Sequence, residues 1–281
     1  MRHLLYCINR SYVEQMMVSL SSVLRHGQLG PLDVHIINRD LTQEDKMRIS
    51  LLSSSSCHIS FIHFDEDRLQ GSPTSSRYPL EIYFRLFSPI LLPNEVDRIL
   101  YLDADVICIN PLVELYNYDI KDKYIIACTH TKRTLTTINA IRLGLDFDSE
   151  APYINTGVML MNIASLRKDF NSTSIFSLIE ERGGAFILPD QDIVMALYGE
   201  RIALVDSLRY NLSDRMMLLA NMTRQPSNRL SAQSVRKDSC LIHYCGRNKP
   251  WKKRYAGVLG CFYEEEKEAL DRLLTEAGQL G

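Results

Sequence analysis

Apolar residues in the first part of the chain alternate between two spacings, and this alternation limits the fold more than any other feature. Short apolar runs that are typical of buried strands occur at 4–8, 33–37 and 59–64. Apolar residues then recur at helical spacing over 13–24, and Gly27 is placed to end that helix. Thr42 is placed to cap a second helix that runs to Leu52. Strands separated by helices predict βαβ units and a parallel sheet.

The remainder of the chain continues the same α/β pattern. Further strands are predicted at 98–102, 124–128, 157–161 and 241–242, and further helices at 83–92, 174–182, 190–198 and from 262 onward. The stretch 209–239 is polar and irregular, which predicts loops and short helices. The chain has 281 residues, 46% of them hydrophobic, which is enough for one large core. We predict a single α/β domain over 1–255 and a C-terminal helical extension over 256–281.

Charge and composition argue against several classes of protein. The formal net charge is −2, so we expect no nucleic-acid partner. No apolar run approaches the roughly 18 residues of a membrane-spanning helix, and the N-terminal apolar stretch is too short for a signal sequence. The seven cysteines include no Cys-x-x-Cys pair, as expected for free thiols in a reducing compartment. We expect a cytoplasmic protein whose membrane contact, at the inner face, is at most peripheral.

Two carboxylates stand at the end of a predicted strand. Asp103 and Asp105 directly follow the apolar run 99–102. In open α/β sheets, ligands bind at the carboxyl ends of the strands. Carboxylate pairs suit hard divalent cations, and a bound diphosphate can supply the remaining oxygen ligands. A solvated turn is the competing explanation, because aspartate is common in loops, but the strand directly ahead favours a site.

A second polar motif, His243 to Trp251, follows the last predicted strand. Histidine is a common nitrogen ligand of metals. Lys249 offers a positive charge for phosphate, and Gly246 lets a ligand approach the backbone closely. An ordinary surface loop and a packing role for Trp251 are the competing explanations. Taken together with the two aspartates, His243 predicts a metal site.

Three further segments combine polar residues with the ends of predicted elements. Asn155 leads into a strand. Asp190 and Gln191 begin a helix, where N-terminal capping would also explain them. The turn from Asn9 to Tyr12 follows the first strand, a position that commonly meets a nucleotide in parallel sheets. This turn contains no G-x-G-x-x-G or Walker A sequence, so neither NAD binding nor ATP hydrolysis is favoured.

These segments, in this order, resemble the retaining glycosyltransferases of family 8, which include bacterial lipopolysaccharide galactosyltransferases and glucosyltransferases, general stress protein A-like enzymes and the glycogenins. The resemblance covers about residues 3 to 255 and rests on YLDAD, YINTGVMLMN, LPDQD and HYCGRNKPW. It implies a GT-A fold with a mixed, mostly parallel sheet flanked by helices. It also implies a UDP-sugar donor, Mn²⁺ (with Mg²⁺ as the alternative), and a saccharide, glycan or glycolipid acceptor, with a role in lipopolysaccharide or cell-surface glycan biosynthesis.

The resemblance also implies roles for individual residues. By motif position these are metal ligands at Asp103, Asp105 and His243, uridine contacts at Asn9, Ser11 and Tyr12, donor and pyrophosphate contacts at Arg85, Ala104, Gly246 and Lys249, and residues around the donor sugar and reacting carbon at Asn155, Asp190 and Gln191. The sequence departs from the family at Asn9, where an acidic residue is frequent. An asparagine can still hydrogen-bond to uracil, so uridine selectivity is still expected.

The resemblance predicts transfer of galactose or glucose with retention of configuration. An amide such as Gln191 is a poor nucleophile, so we hypothesise that the acceptor hydroxyl attacks from the face that UDP leaves. The UDP phosphate then takes the hydroxyl proton. Three alternatives stay open: a catalytically weak nucleotide-sugar-binding protein, a sugar nucleotidyltransferase and, within the family, self-glucosylation on one of the fourteen tyrosines. The second would carry a glycine-rich basic loop after the first strand, which is not present. The acceptor is expected to contact 130–150 and 209–239.

Overall fold

A seven-stranded sheet forms the centre of the protein in a computed structural model, which describes residues 1–65, 80–129, 153–182 and 189–279. Its strands, together with those of a two-stranded sheet, are β1 (Arg2–Cys7), β2 (Leu32–Asn38), β3 (Cys57–His63), β4 (Arg98–Leu102), β5 (Val106–Cys108), β6 (Ile125–Thr129), β7 (Ile154–Asn162), β8 (Ile202–Val205) and β9 (Leu241–His243). The α-helices are α1 (Val13–His26), α2 (Gln43–Ser50), α3 (Phe84–Leu91), α4 (Val113–Tyr116), α5 (Ile163–Lys168), α6 (Ser172–Arg182), α7 (Pro189–Tyr198), α8 (Ser207–Tyr210), α9 (Asp214–Thr223), α10 (Ala232–Asp238) and α11 (Gly260–Gln279).

The strand order of the large sheet is β3-β2-β1-β4-β7-β6-β8. The pairs β1–β2, β1–β4, β2–β3 and β6–β8 are parallel. Strand β7 is antiparallel to both of its neighbours, β4 and β6. The sheet is therefore mixed and mostly parallel, and helices flank it, which confirms the predicted fold class.

Hydrophobic packing covers both faces of the large sheet. In β1, Leu4 and Tyr6 belong to one buried cluster, and Leu5 between them belongs to the other. This alternation follows from the two-residue period of a strand. Helices α1, α2 and α11 contribute to the first cluster, and α3, α5, α6 and α7 contribute to the second. Strands buried on both faces read as continuous apolar runs, which is the pattern that the sequence displays.

The predicted N-terminal βαβ units are confirmed by the structure. Thr42 caps α2 through a reciprocal pair of bonds with Asp45: the Asp45 N–H donates to the Thr42 hydroxyl at 3.2 Å, and the Thr42 N–H donates to the Asp45 carboxylate at 2.9 Å. Gly27 follows α1 at its C-terminal cap. The short helices α8, α9 and α10 occupy the stretch 209–239, as predicted.

A small antiparallel sheet of β5 and β9 lies apart from the large one. The sequence predicted β9 but not β5, because three residues are too few to show a period. The C-terminal helix α11 packs on α1, and Phe262 and Leu270 are buried in the same cluster as α1. The proposed boundary at residue 255 stays a prediction. Among the described helices, none combines the length and the apolarity needed to cross a membrane.

Candidate active site

The carboxyl end of β4 places Asp103 at one edge of the large sheet. Because β7 runs antiparallel to β4, with Leu102 opposite Val158, the beginning of β7 meets the end of β4. The backbone N–H of Asp103 donates to the carbonyl of Gly157 at 2.8 Å. The strand-end position predicted for Asp103 is confirmed, and Asn155 is brought to the same edge.

The small sheet brings Asp105 and His243 together. Val106 in β5 pairs with His243 in β9, and the N–H of Tyr244 donates to the Asp105 carbonyl at 3.0 Å. The imidazole Nε2 of His243 lies 3.2 Å from Asp105 Oδ1 and 3.9 Å from Asp103 Oδ2. One ligand-type atom of each of these three residues lies within 4.8 Å of the others. The structure therefore brings the three predicted ligands into one cluster.

Gly157 leaves the room that this cluster occupies. A Cβ atom at this position would lie 2.3 Å from His243 Cε1 and 2.8 Å from Asp103 Oδ2. Both distances are well inside van der Waals contact, so any side chain here would displace the imidazole or the carboxylate. Glycine is required because of this close approach.

The donor set of the cluster suits a divalent cation. Two carboxylate oxygens and one imidazole nitrogen form a ligand set open to Mn²⁺ or Mg²⁺. Asp105 and His243 are buried, whereas Asp103 is 27% exposed in its side chain. A cation held here would therefore have protein ligands on its buried side and further ligands toward the open side.

Lys249 neutralises one side of Asp105. Its Nζ donates to the Asp105 carboxylate and to the Tyr244 carbonyl, the latter at 2.8 Å. Burial raises the pKa of Asp105, but the positive charge of Lys249, with a smaller contribution from the adjacent His243, outweighs burial and holds that pKa well below its usual range. Burial lowers the pKa of Lys249, and Asp105 outweighs it and raises that pKa. Both groups are therefore charged near neutral pH.

Arg85, in α3, joins the carboxylates on the other side of the cluster. Its Nη2 lies 2.9 Å from Asp103 Oδ1, and its Nη1 lies 3.4 Å from Asp190 Oδ2. The same Nη1 donates to the Thr156 carbonyl at 2.8 Å, and the guanidinium lies 4.5 Å from the centre of the Tyr101 ring. Burial lowers the pKa of Arg85, but the adjacent acidic groups raise it above its usual value. Arg85 is therefore a buried, charged residue that forms ion pairs with both Asp103 and Asp190.

Asp190 and Gln191 lie in the first turn of α7, and both are buried. The hydroxyl of Thr156 donates to Asp190 Oδ2. Among the described residues, the Oε1 atom of Gln191 has no hydrogen-bond partner although it is shielded from solvent. A buried acceptor without a partner costs about 1–3 kcal/mol, so a ligand that donates a hydrogen bond to Gln191 would remove that cost.

The turn after β1 carries Asn9, Ser11 and Tyr12. Asn9 Oδ1 accepts hydrogen bonds from the Ser11 N–H at 3.1 Å and from the Ser11 hydroxyl at 2.6 Å. Tyr12 is half-buried, and burial raises its pKa while the charge of Lys249 lowers it. Tyr12 is thus within electrostatic reach of the cluster, on the same edge of the sheet.

Two small residues complete the set predicted from the sequence. Gly246 has φ +91°, a conformation that favours glycine, and a Cβ there would meet no atom within 4 Å. Its backbone therefore faces open space. Ala104 is buried between the two aspartates. The segment 130–150, where acceptor contacts were predicted, lies outside the described residues.

Asn211 lies beside the cluster, and no motif in the sequence predicted it there. Asn155 Oδ1 accepts hydrogen bonds from the Gly157 N–H and from Asn211 Nδ2, each at 3.0 Å. Asn211 Oδ1 lies 2.8 Å from Nδ1 of His243. Asn211 comes from the irregular stretch after α8, so no hydrophobic period or motif identified it. The bridge between its neighbour Leu212 and β9 is what places it here.

Two bacterial lipopolysaccharide glycosyltransferases are similar to the chain over most of its length. The lipopolysaccharide 1,2-glucosyltransferase of Escherichia coli is 28% identical over 250 residues, which are 87% of this chain and 71% of that protein. The lipopolysaccharide 1,3-galactosyltransferase of Salmonella typhimurium is 25% identical over 263 residues, which are 88% of this chain and 72% of that protein.

A solved structure shares the fold. The galactosyltransferase LgtC, solved in complex with donor and acceptor sugar analogues, superposes with a TM-score of 0.81, 19% identity and 95% coverage of both chains. At this level of identity the likeness shows the fold alone, and it confirms the predicted GT-A architecture. The family model described as "Glycosyl transferase family 8" matches residues 3–254. The chain is therefore a glycosyltransferase and belongs to glycosyl transferase family 8.

Proposed function

We propose that this protein transfers a hexose, galactose or glucose, from a UDP-sugar to a hydroxyl of a lipopolysaccharide or related glycan acceptor, with retention of configuration. The convergence of Asp103, Asp105 and His243 around the space left by Gly157 carries this proposal. The similarity to enzymes named as lipopolysaccharide glucosyl- and galactosyltransferases supports the donor sugar and the acceptor class.

Mn²⁺, with Mg²⁺ as the alternative, is the cation that we propose for the three ligands. Bound there, it would neutralise negative charge on the diphosphate of the donor. Gly246 offers open backbone, and Lys249 a buried ammonium, on the same side as Asp105. We assign these two residues to the diphosphate, Ala104 to the donor between the ligands, and Asn9, Ser11 and Tyr12 to the uridine. Positive charge beside the leaving group is electrostatic catalysis.

The reacting sugar is assigned to the opposite side of the cluster. Arg85 holds Asp103 and Asp190 together, so the cation ligands and the first turn of α7 keep a fixed separation. The Oε1 atom of Gln191, which has no hydrogen-bond partner within the described part of the chain, offers an acceptor for a sugar hydroxyl. Asn155, Asp190 and Gln191 thus line the space next to the anomeric carbon in this proposal.

The chemical step that we propose needs no protein nucleophile. The bond between the anomeric carbon and the UDP oxygen breaks, and its electron pair leaves with UDP. The acceptor oxygen bonds to the same face of the carbon, and its proton passes to a UDP phosphate oxygen. Trapping a covalent sugar adduct on Gln191 during turnover would contradict this mechanism.

The test compares donors and then acceptors. Calorimetric titration of UDP-glucose and UDP-galactose, each with and without Mn²⁺, should give Mn²⁺-dependent binding of one of them. Incubation with that donor and truncated lipopolysaccharide should then release UDP and lengthen the acceptor by one hexose. Hydrolysis or binding without transfer would instead support a catalytically weak binding protein. Formation of the UDP-sugar from UTP and a sugar phosphate would support a nucleotidyltransferase.

We also propose that the protein works in the cytoplasm and touches the inner face of the membrane peripherally. Exposed Lys252, Lys253 and Arg254 support this contact, and exposed Leu218 and Met222 on α9 add apolar surface. Sedimentation with vesicles that contain anionic lipid, compared with neutral vesicles, tests it. Equal recovery of the protein in the supernatant with anionic and with neutral vesicles would contradict the proposed membrane contact.

A further inference from the structure

A continuous chain of hydrogen bonds runs beneath the candidate cation site, from the backbone of β7 to the imidazole of His243. Its members are the N–H of Gly157, the side-chain amide of Asn155, the side-chain amide of Asn211 and Nδ1 of His243. All three side chains are nearly inaccessible to solvent. Water therefore has little access to replace any link.

The direction of this chain follows from its first member. A backbone N–H can only donate, so the atom of Asn155 that faces Gly157 is the oxygen. The atom of Asn211 that faces the same oxygen must then be the NH₂ group. Consequently the other terminal atom of Asn211, 2.8 Å from His243 Nδ1, is an oxygen that can only accept. Each link fixes the orientation of the next.

We infer that Asn211, held by Asn155, is a positioning residue that keeps the neutral His243 as its Nδ1–H tautomer, with the Nε2 lone pair facing the carboxylates of Asp103 and Asp105. This inference rests on the proposed function for the identity of the cation. It assigns Asn155 a role at the cation site in addition to the role proposed for it next to the donor sugar.

The alternative tautomer of His243, with hydrogen on Nε2, would be less suited to bind a cation. With hydrogen on Nε2, the imidazole would donate to Asp105 Oδ1 at 3.2 Å, and the pair would be satisfied without a cation. That arrangement would turn the bare Nδ1 toward the Asn211 oxygen, two acceptors at 2.8 Å. The Asn211 oxygen therefore disfavours the Nε2–H tautomer of His243. The chain of hydrogen bonds from Gly157 through Asn155 and Asn211 to His243, here called the relay, therefore leaves two carboxylates and a nitrogen lone pair facing one another. A cation would stabilise that arrangement.

The first experiment measures cation affinity with no nucleotide present. Calorimetric titration of metal-free protein with Mn²⁺ should show binding that Asn211→Leu weakens by about 10- to 100-fold, the usual effect of removing an outer partner of a metal-bound histidine. Asn211→Asp keeps an acceptor for Nδ1–H but loses the NH₂ group that donates to Asn155, so it should recover part of the affinity that Asn211→Leu loses. Asn110→Leu is the control. This amide ties the far end of the small sheet to the Arg236 and Ser239 carbonyls, and its loss should leave Mn²⁺ affinity unchanged.

The second experiment observes the proton directly. Long-range ¹H–¹⁵N correlation spectra of metal-free protein at alkaline pH should show His243 as the Nδ1–H tautomer, with the signal assigned by its loss in His243→Ala. Asn211→Leu should gain the Nε2–H form. The tautomer in wild type is observed without Asn211→Leu, so that result does not depend on the folding of Asn211→Leu.

Four results would overturn the relay: an Nε2–H tautomer in wild type, Mn²⁺ affinity within twofold of wild type in Asn211→Leu, equal weakening in Asn110→Leu, or no rescue by Asn211→Asp. The relay and the proposed function fail separately. Correct tautomer and affinity data without hexose transfer from any donor would reject the transfer proposal and leave the relay standing.

Discussion

Two clusters of ionisable side chains lie at opposite ends of the same large sheet, and they differ in how their side chains meet. At the carboxyl edge, Asp103, Asp105 and His243 converge from a strand end and a separate small sheet. At the amino edge, His3, Asp33 and His58 stand directly opposite one another on β1, β2 and β3. Among the described residues, the first cluster is the one in which three ligand-type side chains converge.

The amino-edge cluster has suitable residue types but a flat arrangement. His3 Nδ1 and His58 Nδ1 lie 3.8 and 3.7 Å from different oxygens of Asp33, one on each side. Neighbouring strands are held about 4.8 Å apart, so side chains in one row point the same way and do not meet at a point. At the carboxyl edge the chain has left the strand, and Gly157 provides space for the side chains to turn toward each other. Convergence, more than composition, distinguishes a ligand site here.

Removal of a predicted ligand should have the largest effect. Asp103→Ala and Asp105→Ala should each lower the rate of hexose transfer by more than about 10³-fold, because a cation contributes several kcal/mol of charge stabilisation. Initial rates and Mn²⁺-dependent UDP binding measure this effect. Asp105→Ala also leaves Lys249 buried without its partner, so thermal unfolding must accompany the assay. Unchanged turnover in a folded variant would contradict the assignment.

A smaller effect is expected when the space for convergence is filled. Gly157→Ala should weaken Mn²⁺ binding by about 100-fold, because the new methyl group would lie 2.3 Å from the imidazole of His243. Gly27→Ala is a matched control, since its methyl group would meet a backbone carbonyl 2.7 Å away at the end of α1. Both variants lose stability, but only Gly157→Ala should lose Mn²⁺ affinity in titration. Equal Mn²⁺ affinity in the two variants would contradict the prediction that the ligands need the space that Gly157 leaves.

At the amino edge the expected effect is on stability. Burial and, after it, the adjacent His3 lower the pKa of His35 from its ordinary value of 6.5 to about 4, although Asp33 opposes them. Between those two pH values the unfolded chain takes up a proton that the folded chain does not. The contribution of His35 is therefore complete above pH 6.5 and falls as the pH drops toward 4, by about 3 kcal/mol.

The substitution His35→Gln isolates this contribution. The difference in unfolding free energy between wild type and variant, from urea titrations at several pH values, should shrink as the pH falls from 7 to 4.5. A difference that does not depend on pH would show that His35 does not titrate as its burial requires. Transfer activity at neutral pH should be unchanged, because the hydrogen-bond partners of His35 are His3 and Ser60, and neither belongs to the candidate site.

The smallest effect is expected for the amino-edge carboxylate. Asp33→Asn removes a partly exposed charge that interacts with His3 and His58 at nearly 4 Å. Such pairs contribute about 0–1 kcal/mol, so transfer rate and Mn²⁺ affinity should stay within twofold of wild type. A loss as large as that of Asp103→Ala would mean that the two clusters are coupled through the sheet.

Much of the fold could be predicted because the positions of many strands and helices depend on local sequence patterns. The apolar runs of β1 to β4, the cap at Thr42 and the strand end before Asp103 each depend on residues close in sequence. The three metal-ligand candidates were also predictable, from motif types and from family resemblance together.

The remaining parts depend on contacts between distant segments. The strand β5 has three residues, and the reversed direction of β7 leaves no mark in an apolar run. Thr156 and Asn211 belong to the candidate site only because Asp190 and His243 are brought to them. No local pattern encodes such a partner, so neither residue could be predicted from the sequence.

The two-stranded sheet of β5 and β9 has a consequence for how the protein is made. It carries Asp105 at one end of one strand and His243 in the other, although the two positions are far apart along the chain. During synthesis, the N-terminal strands and α1 can form from local segments, whereas this pairing must wait until β9 has left the ribosome. A growing chain therefore cannot assemble the candidate cation site until His243 has been synthesised, and cation capture would follow the pairing of β5 with β9.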